Sequence, residues 1–236
     1  MNRMTRADFV PALGHPLIAR LYDPLLRLTL RERAFKSALV EQAAIQAGQR
    51  VLDVGCGTAT LTLLAKRAEP RAHVVGLDVD PVMLELAGRK ILRSGLDVSL
   101  DRGSAVALPY ADGSVDRVLS SLALHHLTPA EKVAALREAF RVLKPGGELH
   151  VADWGRPAHR FMRGVFVLVQ LVDGFANTRD NIAGRLPDMM TAAGFRDARE
   201  TRRFAVLLGT ISLYRARVAT PQHNAAHACN PTTEGK

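Results

Sequence analysis

VLDVGCGTAT, residues 51–60, carries the reading of this chain. A short apolar run, VLDV, breaks into a glycine-rich turn, and LTLLAKRA follows with the spacing of a helix. A strand-to-helix turn without a Cβ at Gly55 and Gly57 lets a ligand approach the backbone and its N–H groups closely. Alone, G-x-G says little, because many such turns carry glycine for geometry only. Two acids sharpen it. Asp53 stands two residues before Gly55, and Asp78 closes the next apolar run, HVVGLD, 21 residues after Gly57. An acid about 20 residues past such a loop is the expected partner of ribose hydroxyls, in a nicotinamide dinucleotide or in S-adenosylmethionine. Asp53 separates these two. A carboxylate under the loop repels a pyrophosphate, whereas it attracts a sulfonium and an ammonium. The third glycine of the dinucleotide fingerprint is also absent, since Thr60 holds its place. Both features favour the methyl donor. Orientation of the loop through its N–H groups is a second role for Asp53, compatible with the first.

Outward from the loop, apolar runs and amphipathic stretches alternate. Strands are expected at 50–54, 73–78, 97–103, 115–121 and 148–154, and helices at 61–68, 81–94 and 129–144. Pro81 opens the second of these helices. Thr128 is the expected N-cap of the third, with Pro129 at its first position and glycines just past its end. Such alternation implies a parallel sheet covered on both faces, with ligands at the carboxyl ends of the strands. Before the sheet, Leu17, Leu21, Leu25 and Leu28 recur at helical spacing, and a helix is expected over 16–47. After Trp154 the rhythm breaks. An apolar helix is read over 160–175, a short helix over 188–194, and two last strands over 197–204 and 210–217. The expected organisation is one domain over 1–218. It comprises a helical cap (1–48), a cofactor-binding core (49–153), a helical insertion on the substrate side (154–185) and the last helix and strands (186–218). A polar tail (219–236) is expected to be disordered.

The chain has 236 residues, 47% of them hydrophobic, and a net charge of +9. That length supports a sizeable single core. The basic balance suits anionic partners, including a peripheral contact with acidic lipid, or simple solubility. The two cysteines, Cys56 in the loop and Cys229 in the tail, are ill placed for a structural disulfide and suit a reducing cytosol, so a cytoplasmic protein is expected. The first residues show no apolar signal region, and the most apolar stretch, 165–172, is far short of the ~20 residues that span a bilayer.

Four stretches in order, VLDVGCGTAT, GLDVDPVMLELA, GSAVALPYADGSVDRVLSSLALHHL and RVLKPGGELHVADWG, resemble the motifs of class I S-adenosylmethionine-dependent methyltransferases, most nearly the ubiquinone/menaquinone-biosynthesis type. The resemblance covers residues 50–155 strongly and 186–217 more loosely. It implies an α/β Rossmann-like fold with a seven-stranded, mostly parallel sheet. It implies S-adenosylmethionine as cofactor, S-adenosylhomocysteine as product, and no metal. By the same resemblance Gly55, Cys56 and Gly57, with Thr58 and Thr60 beside them, would pack under the methionine portion. Asp78 would bind both ribose hydroxyls. Val79 and Met83 would flank the adenine, Ser104 and Ala105 would meet its edge, and Ser120 and Ser121 would lie near the methionine ammonium. The family usually has glycine where Ala59 stands, which suggests a tighter loop here. It usually has Asp where Ser104 stands, which leaves the adenine contact without charge assistance.

Methyl transfer from a sulfonium asks mainly for alignment of the acceptor and exclusion of water. A base helps where the acceptor carries a proton on the reacting group. His125, His126, Asp153 and Tyr22 are the candidates on that side; each also has a reading as a loop-shaping or packing residue. The apolar 160–175 stretch would suit a hydrophobic or lipid-like acceptor, or pack as core or as a dimer contact, so monomer and homodimer both stay open. Arg196, Arg199, Arg202, Arg203, Arg215 and Arg217 decorate the last strands as a solvated face or an anion footprint. A small-molecule acceptor is expected. Nucleic-acid bases are disfavoured because SSLALHHL stands where an N/D-P-P-Y/F motif would, and neither cysteine is placed as a nucleophile for carbon-5 methylation. A protein acceptor and a catalytically silent cofactor-binding partner both stay open.

Overall fold

The computed structural model describes residues 32–157, 175–207 and 209–220. Seven strands form one sheet: β1 (Arg50–Val54), β2 (His73–Asp78), β3 (Ser99–Arg102), β4 (Val115–Ser121), β5 (Leu143–Trp154), β6 (Arg196–Val206) and β7 (Gly209–Arg217). Their order is β3-β2-β1-β4-β5-β7-β6. Only β7 runs against its neighbours. The helices are α1 (Glu32–Ala43), α2 (Thr60–Ala68), α3 (Pro81–Ser94), α4 (Pro129–Val142), α5 (Phe175–Ile182) and α6 (Leu186–Ala192). The expected Rossmann-like architecture is the observed one. Strand order reverses between β1 and β4, which places a crevice at the carboxyl ends of those two strands.

Alternation along the strands sorts side chains to two cores. Leu52, Val118 and Val151 join one cluster, with Leu136 of α4 and Met190 of α6. Val51, Leu119 and Ala152 join the other, with Phe35 and Leu39 of α1 and Leu61 of α2. By the same alternation Asp53 belongs to the α1/α2 face and Asp153 to the α4 face.

Local chemistry explains most element ends. The capping box expected at Thr128 is present, closed by Glu131, and Asp80 caps α3 by accepting from the Val82 N–H. The N-terminal helix stops at Ala43 rather than Ala47, because Ala44 turns left-handed at φ 43°. Helix α4 ends at Val142, since Leu143 already pairs with Val115 across the sheet. The KPGG stretch is then carried as a register shift within β5 rather than as a connecting loop. The third strand is shorter than the expected 97–103. The last two are longer than 197–204 and 210–217, and α6 starts two residues before 188. Helix α5 lies inside the expected helical insertion, 154–185, past the one helix read there over 160–175.

Residues 16–31 of the expected cap, Tyr22, the apolar 160–174 stretch and the tail from 221 lie outside the described residues. Among the described residues no helix is long and apolar enough to cross a membrane. The arginines of the last strands are partly neutralised in place. Arg203 pairs with Glu200 at 2.5 Å, Arg217 with Asp197 at 2.6 Å, and Arg215 with Glu148. Arg202 lies over the Phe204 ring at 5.0 Å.

Candidate active site

The loop after β1 is tied to the end of β2. The Gly55 and Cys56 N–H groups both donate to the Leu77 carbonyl, at 2.8 and 3.0 Å. Gly55 has φ +72°, and a Cβ there would lie 2.5 Å from the Ala123 Cβ, so a side chain is excluded twice over. Gly57 has φ +53° with open space in front of it, and its N–H donates to Asp78 Oδ2 at 2.8 Å. Asp78 Oδ1 accepts from the Asp80 N–H at 3.0 Å. Asp78 thus helps to hold the loop, its carboxylate taking backbone N–H groups of Gly57, Asp80 and Val79. Its burial pushes its pKa up. Ala59 adopts φ 60°, ψ 29°, the conformation glycine takes at no steric cost. The loop keeps this left-handed turn rather than tightening, at about 1–2 kcal/mol of strain.

Lys90 of α3 reaches across to donate to Thr60 Oγ1 at 2.6 Å and Thr58 Oγ1 at 3.3 Å, pinning the far side of the loop. The Cys56 sulfur is buried against Gly76, so its backbone rather than its thiol borders the crevice, and burial pushes the thiol far above its ordinary range. Val79 is exposed and Met83 buried at the start of α3, a pair of apolar groups beside Asp78. Ser104 is engaged in a turn, accepting from the Val106 N–H at 3.4 Å, and Ala105 packs on the core.

Two polar atoms near the strand ends have no partner among the described residues. Asp53 is 1% exposed; its Oδ2 accepts from the Thr62 hydroxyl at 2.6 Å, while Oδ1 is buried and unpartnered. Burial pushes its pKa up to about 6, against the Thr62 hydroxyl and the charge of Lys36, itself paired with Glu32 at 2.5 Å. On β4, Ser120 donates to the Val54 carbonyl at 2.9 Å, but the buried Ser121 hydroxyl is unpartnered. Leaving such groups unsatisfied costs about 1–3 kcal/mol each. An orphaned carboxylate oxygen, an orphaned hydroxyl, a bare Gly57 and a half-buried acid at Asp78 fit an adenosyl ligand that carries a cation.

A second cluster lies across the crevice. A 3-10 turn, Leu124–His126, follows β4. His125 Nδ1 lies 2.7 Å from Asp153 Oδ1, and the His125 N–H donates to Oδ2 at 3.2 Å. The Trp154 N–H adds a third bond, at 2.7 Å. Burial pushes the Asp153 pKa up, but the charge of His125 and these hydrogen bonds outweigh it and hold the carboxyl below its ordinary value. In its neutral form, with Nδ1–H given to Asp153, His125 carries its lone pair on Nε2, and a proton taken there gives the charged ring that lowers the Asp153 pKa. The His126 ring lies tilted by 44° against it, 4.0 Å between ring centres, and His125 is the first cause of its lowered pKa.

Helix α5 closes this side. The Asn177 side chain donates to the His126 carbonyl at 3.2 Å, and the buried Lys132 ammonium of α4 donates to the Asn177 carbonyl. The sequence reading misses Lys90, Lys132, Thr62 and the α5 asparagines. Lys90 and Lys132 sit within amphipathic helices, where a lysine reads as solvent-facing. Thr62, two residues past the loop, is readable only with the helix phase known. Helix α5 has no apolar period to find.

Comparison with known proteins agrees with this geometry. Residues 51–147 match the family model described as a methyltransferase domain. The chain is 38% identical over 157 residues to the demethylmenaquinone methyltransferase of Thermus thermophilus, covering 66% of this chain and 69% of that one. It is 32% identical over 217 residues to that of Deinococcus radiodurans, covering 84% and 88%. It is 33% identical over 166 residues to the ubiquinone/menaquinone biosynthesis C-methyltransferase UbiE of Shewanella frigidimarina, covering 68% and 65%. Among solved structures, a SAM-dependent methyltransferase from Aquifex aeolicus superposes with a TM-score of 0.63 at 22% identity, covering 88% of this chain and all of that one. The YcgJ protein of Bacillus subtilis gives a TM-score of 0.63 at 18% identity, covering 79% of this chain and 99% of that one. These two support the fold alone.

Proposed function

Because the chain belongs to the class I S-adenosylmethionine-dependent methyltransferases of the ubiquinone/menaquinone-biosynthesis type, we propose that its acceptor is a quinol ring and the methylated atom a ring carbon. The relatives' names support the acceptor class. The observation that carries the chemistry is the His125–Asp153 pair at 2.7 Å.

S-adenosylmethionine supplies an activated methyl group on a sulfonium. The residues proposed to hold it are Gly55, Cys56 and Gly57, through backbone approach to the methionine portion. Thr58 and Thr60 keep that loop in place through Lys90. Asp53 and Ser121 face its cationic end, and Ser120 fixes β4 beside β1. Asp78 takes the ribose hydroxyls. Val79 and Met83 flank the adenine, with Ser104 and Ala105 at its edge. A ring carbon becomes nucleophilic when an adjacent hydroxyl gives up its proton. His125 accepts that proton at Nε2 while Asp153 holds Nδ1–H and stabilises the imidazolium that forms. The ring carbon takes the methyl group as the methyl–sulfur bond breaks, leaving S-adenosylhomocysteine; the hydrogen it carried leaves as a proton for the ring oxygen, which restores the quinol, and His125 returns its own proton to water. His126 shapes the turn and packs on the base. A small-molecule acceptor of this kind is apolar, which accords with the hydrophobic 160–174 stretch in the sequence.

The test is a radiolabel assay. Purified protein, S-adenosylmethionine labelled on the methyl group and a short-chain demethylmenaquinol should yield labelled menaquinol, with the label on carbon. Label found only on an oxygen, or none with any quinol, would sink the proposed acceptor.

A further inference from the structure

Helix α5 presents a polar face to the interior. Asn177, Thr178, Asp180 and Asn181 fall at helical spacings that share one side. That side is fixed by its contacts: Asn177 bonds the His126 carbonyl and receives Lys132, whose charge also interacts with Asp153 and Asp180. The C-terminal end of α5 lies by the end of β5, where Arg156 donates to the Ala183 carbonyl at 2.9 Å. One turn along from Asn177, on the same side, stands Asn181. It is 0% exposed, and both its Oδ1 and its Nδ2 lack a hydrogen-bond partner among the described residues. A buried amide with neither end satisfied asks for a ligand, and this one lies in the helix that walls the His125–Asp153 pair.

We propose that Asn181 is the hydrogen-bonding anchor of the methyl acceptor, taking a hydroxyl or carbonyl oxygen of its ring. The proposal rests on the methyl-transfer reading and deepens it from cofactor to acceptor. A carboxamide offers one acceptor and two donors side by side. It therefore takes a hydroxyl proton at Oδ1 or donates to a carbonyl through Nδ2, and it accommodates a ring oxygen in its reduced or oxidised form. An acceptor without that oxygen leaves the amide orphaned, which makes Asn181 a specificity-determining residue rather than a base.

The experiment uses the full chain saturated with S-adenosylhomocysteine and two probes of one shape, 1-naphthol and naphthalene, titrated by fluorescence. The wild type should bind 1-naphthol about tenfold or more tighter than naphthalene. Asn181→Leu should erase that preference, keep the S-adenosylhomocysteine Kd within twofold, and show a Tm equal to or above wild type, because it removes an unsatisfied amide without removing a bond. A fall in Tm of more than about 3 °C, the size of one lost hydrogen bond in a domain of this length, would mean that Asn181 is a structural residue. A preference retained in Asn181→Leu, or absent from the wild type, also overturns the proposal. Failure of the quinol reading shows elsewhere: a wild type that discriminates naphthol but methylates no demethylmenaquinol keeps Asn181 and loses that acceptor.

Discussion

Asp53 and Asp153 are both buried carboxylates near the ends of core strands, on opposite faces of one sheet, and their pKa values are shifted in opposite directions. Asp53 has donors from one residue, the hydroxyl and the backbone N–H of Thr62, and burial pushes its pKa up to about 6. Asp153 is as deeply buried but accepts from the His125 ring, the His125 N–H and the Trp154 N–H, and its pKa falls below the ordinary value. Depth in the protein therefore does not decide which way a strand-end acid's pKa moves; the donors that neighbouring turns bring to it do. One acid is left wanting a cation, which suits the donor half of the site. The other is fully supplied, which suits a group whose task is to hold an imidazole.

The largest break in this contrast is Asp153→Asn. It removes the charge that holds His125 Nδ1–H, and turnover of a demethylmenaquinol should fall about 100-fold or more. The Kd of S-adenosylhomocysteine, measured by calorimetry, should stay within threefold; an equal loss in both would make Asp153 a support for the whole crevice. Next is Asp78→Ala, which loses the ribose partner and the anchor of the Gly57 N–H together. Cofactor affinity should drop by roughly 10- to 100-fold, and an unchanged Kd would remove Asp78 from the donor half.

Asp53→Asn sharpens the comparison from the other side. The folded pKa of Asp53 is raised from 3.8 to about 6, so its contribution to stability is complete below about pH 4 and is lost as pH rises through 6. Asn abolishes that loss. The variant should be more stable than wild type at pH 7.5, by up to about 3 kcal/mol, and equal to it near pH 4, by urea unfolding. Its affinity for S-adenosylhomocysteine should fall several-fold at pH 7.5. In the wild type that affinity should rise between pH 5 and pH 7.5 as Asp53 ionises. The smallest effect belongs to Ala59→Gly, which relieves a left-handed alanine at φ 60° and should stabilise the loop by about 1 kcal/mol, read as a rise of a few degrees in Tm.

The donor half is legible in the sequence because backbone geometry writes it into residue types. Gly55 and Gly57 are required by positive φ and close approach, Asp78 by its distance from the loop, and Thr128 and Pro129 by the cap of a helix that starts after them. Such signals are local, so a linear reading finds them. It finds the seven strands and their largely parallel run for the same reason, since alternation and helical spacing span only a few residues. The residues around Asp153 are different. His125 and Asp153 are 28 positions apart, and Lys132 and Asn177 are 45 apart. Helix α5 is polar and exists through what it touches rather than through any period of its own.

What the sequence determined by itself was the fold class, the loop and the kind of ligand it cradles, because each follows from steric and charge rules acting over one turn or one strand. What only the tertiary structure decided was the direction in which each buried acid's pKa moves, the pairing of His125 with Asp153, and the orphaned amide of Asn181. Those depend on which donors arrive from other elements, and desolvation and hydrogen bonding between distant segments exist only once the chain has closed around them.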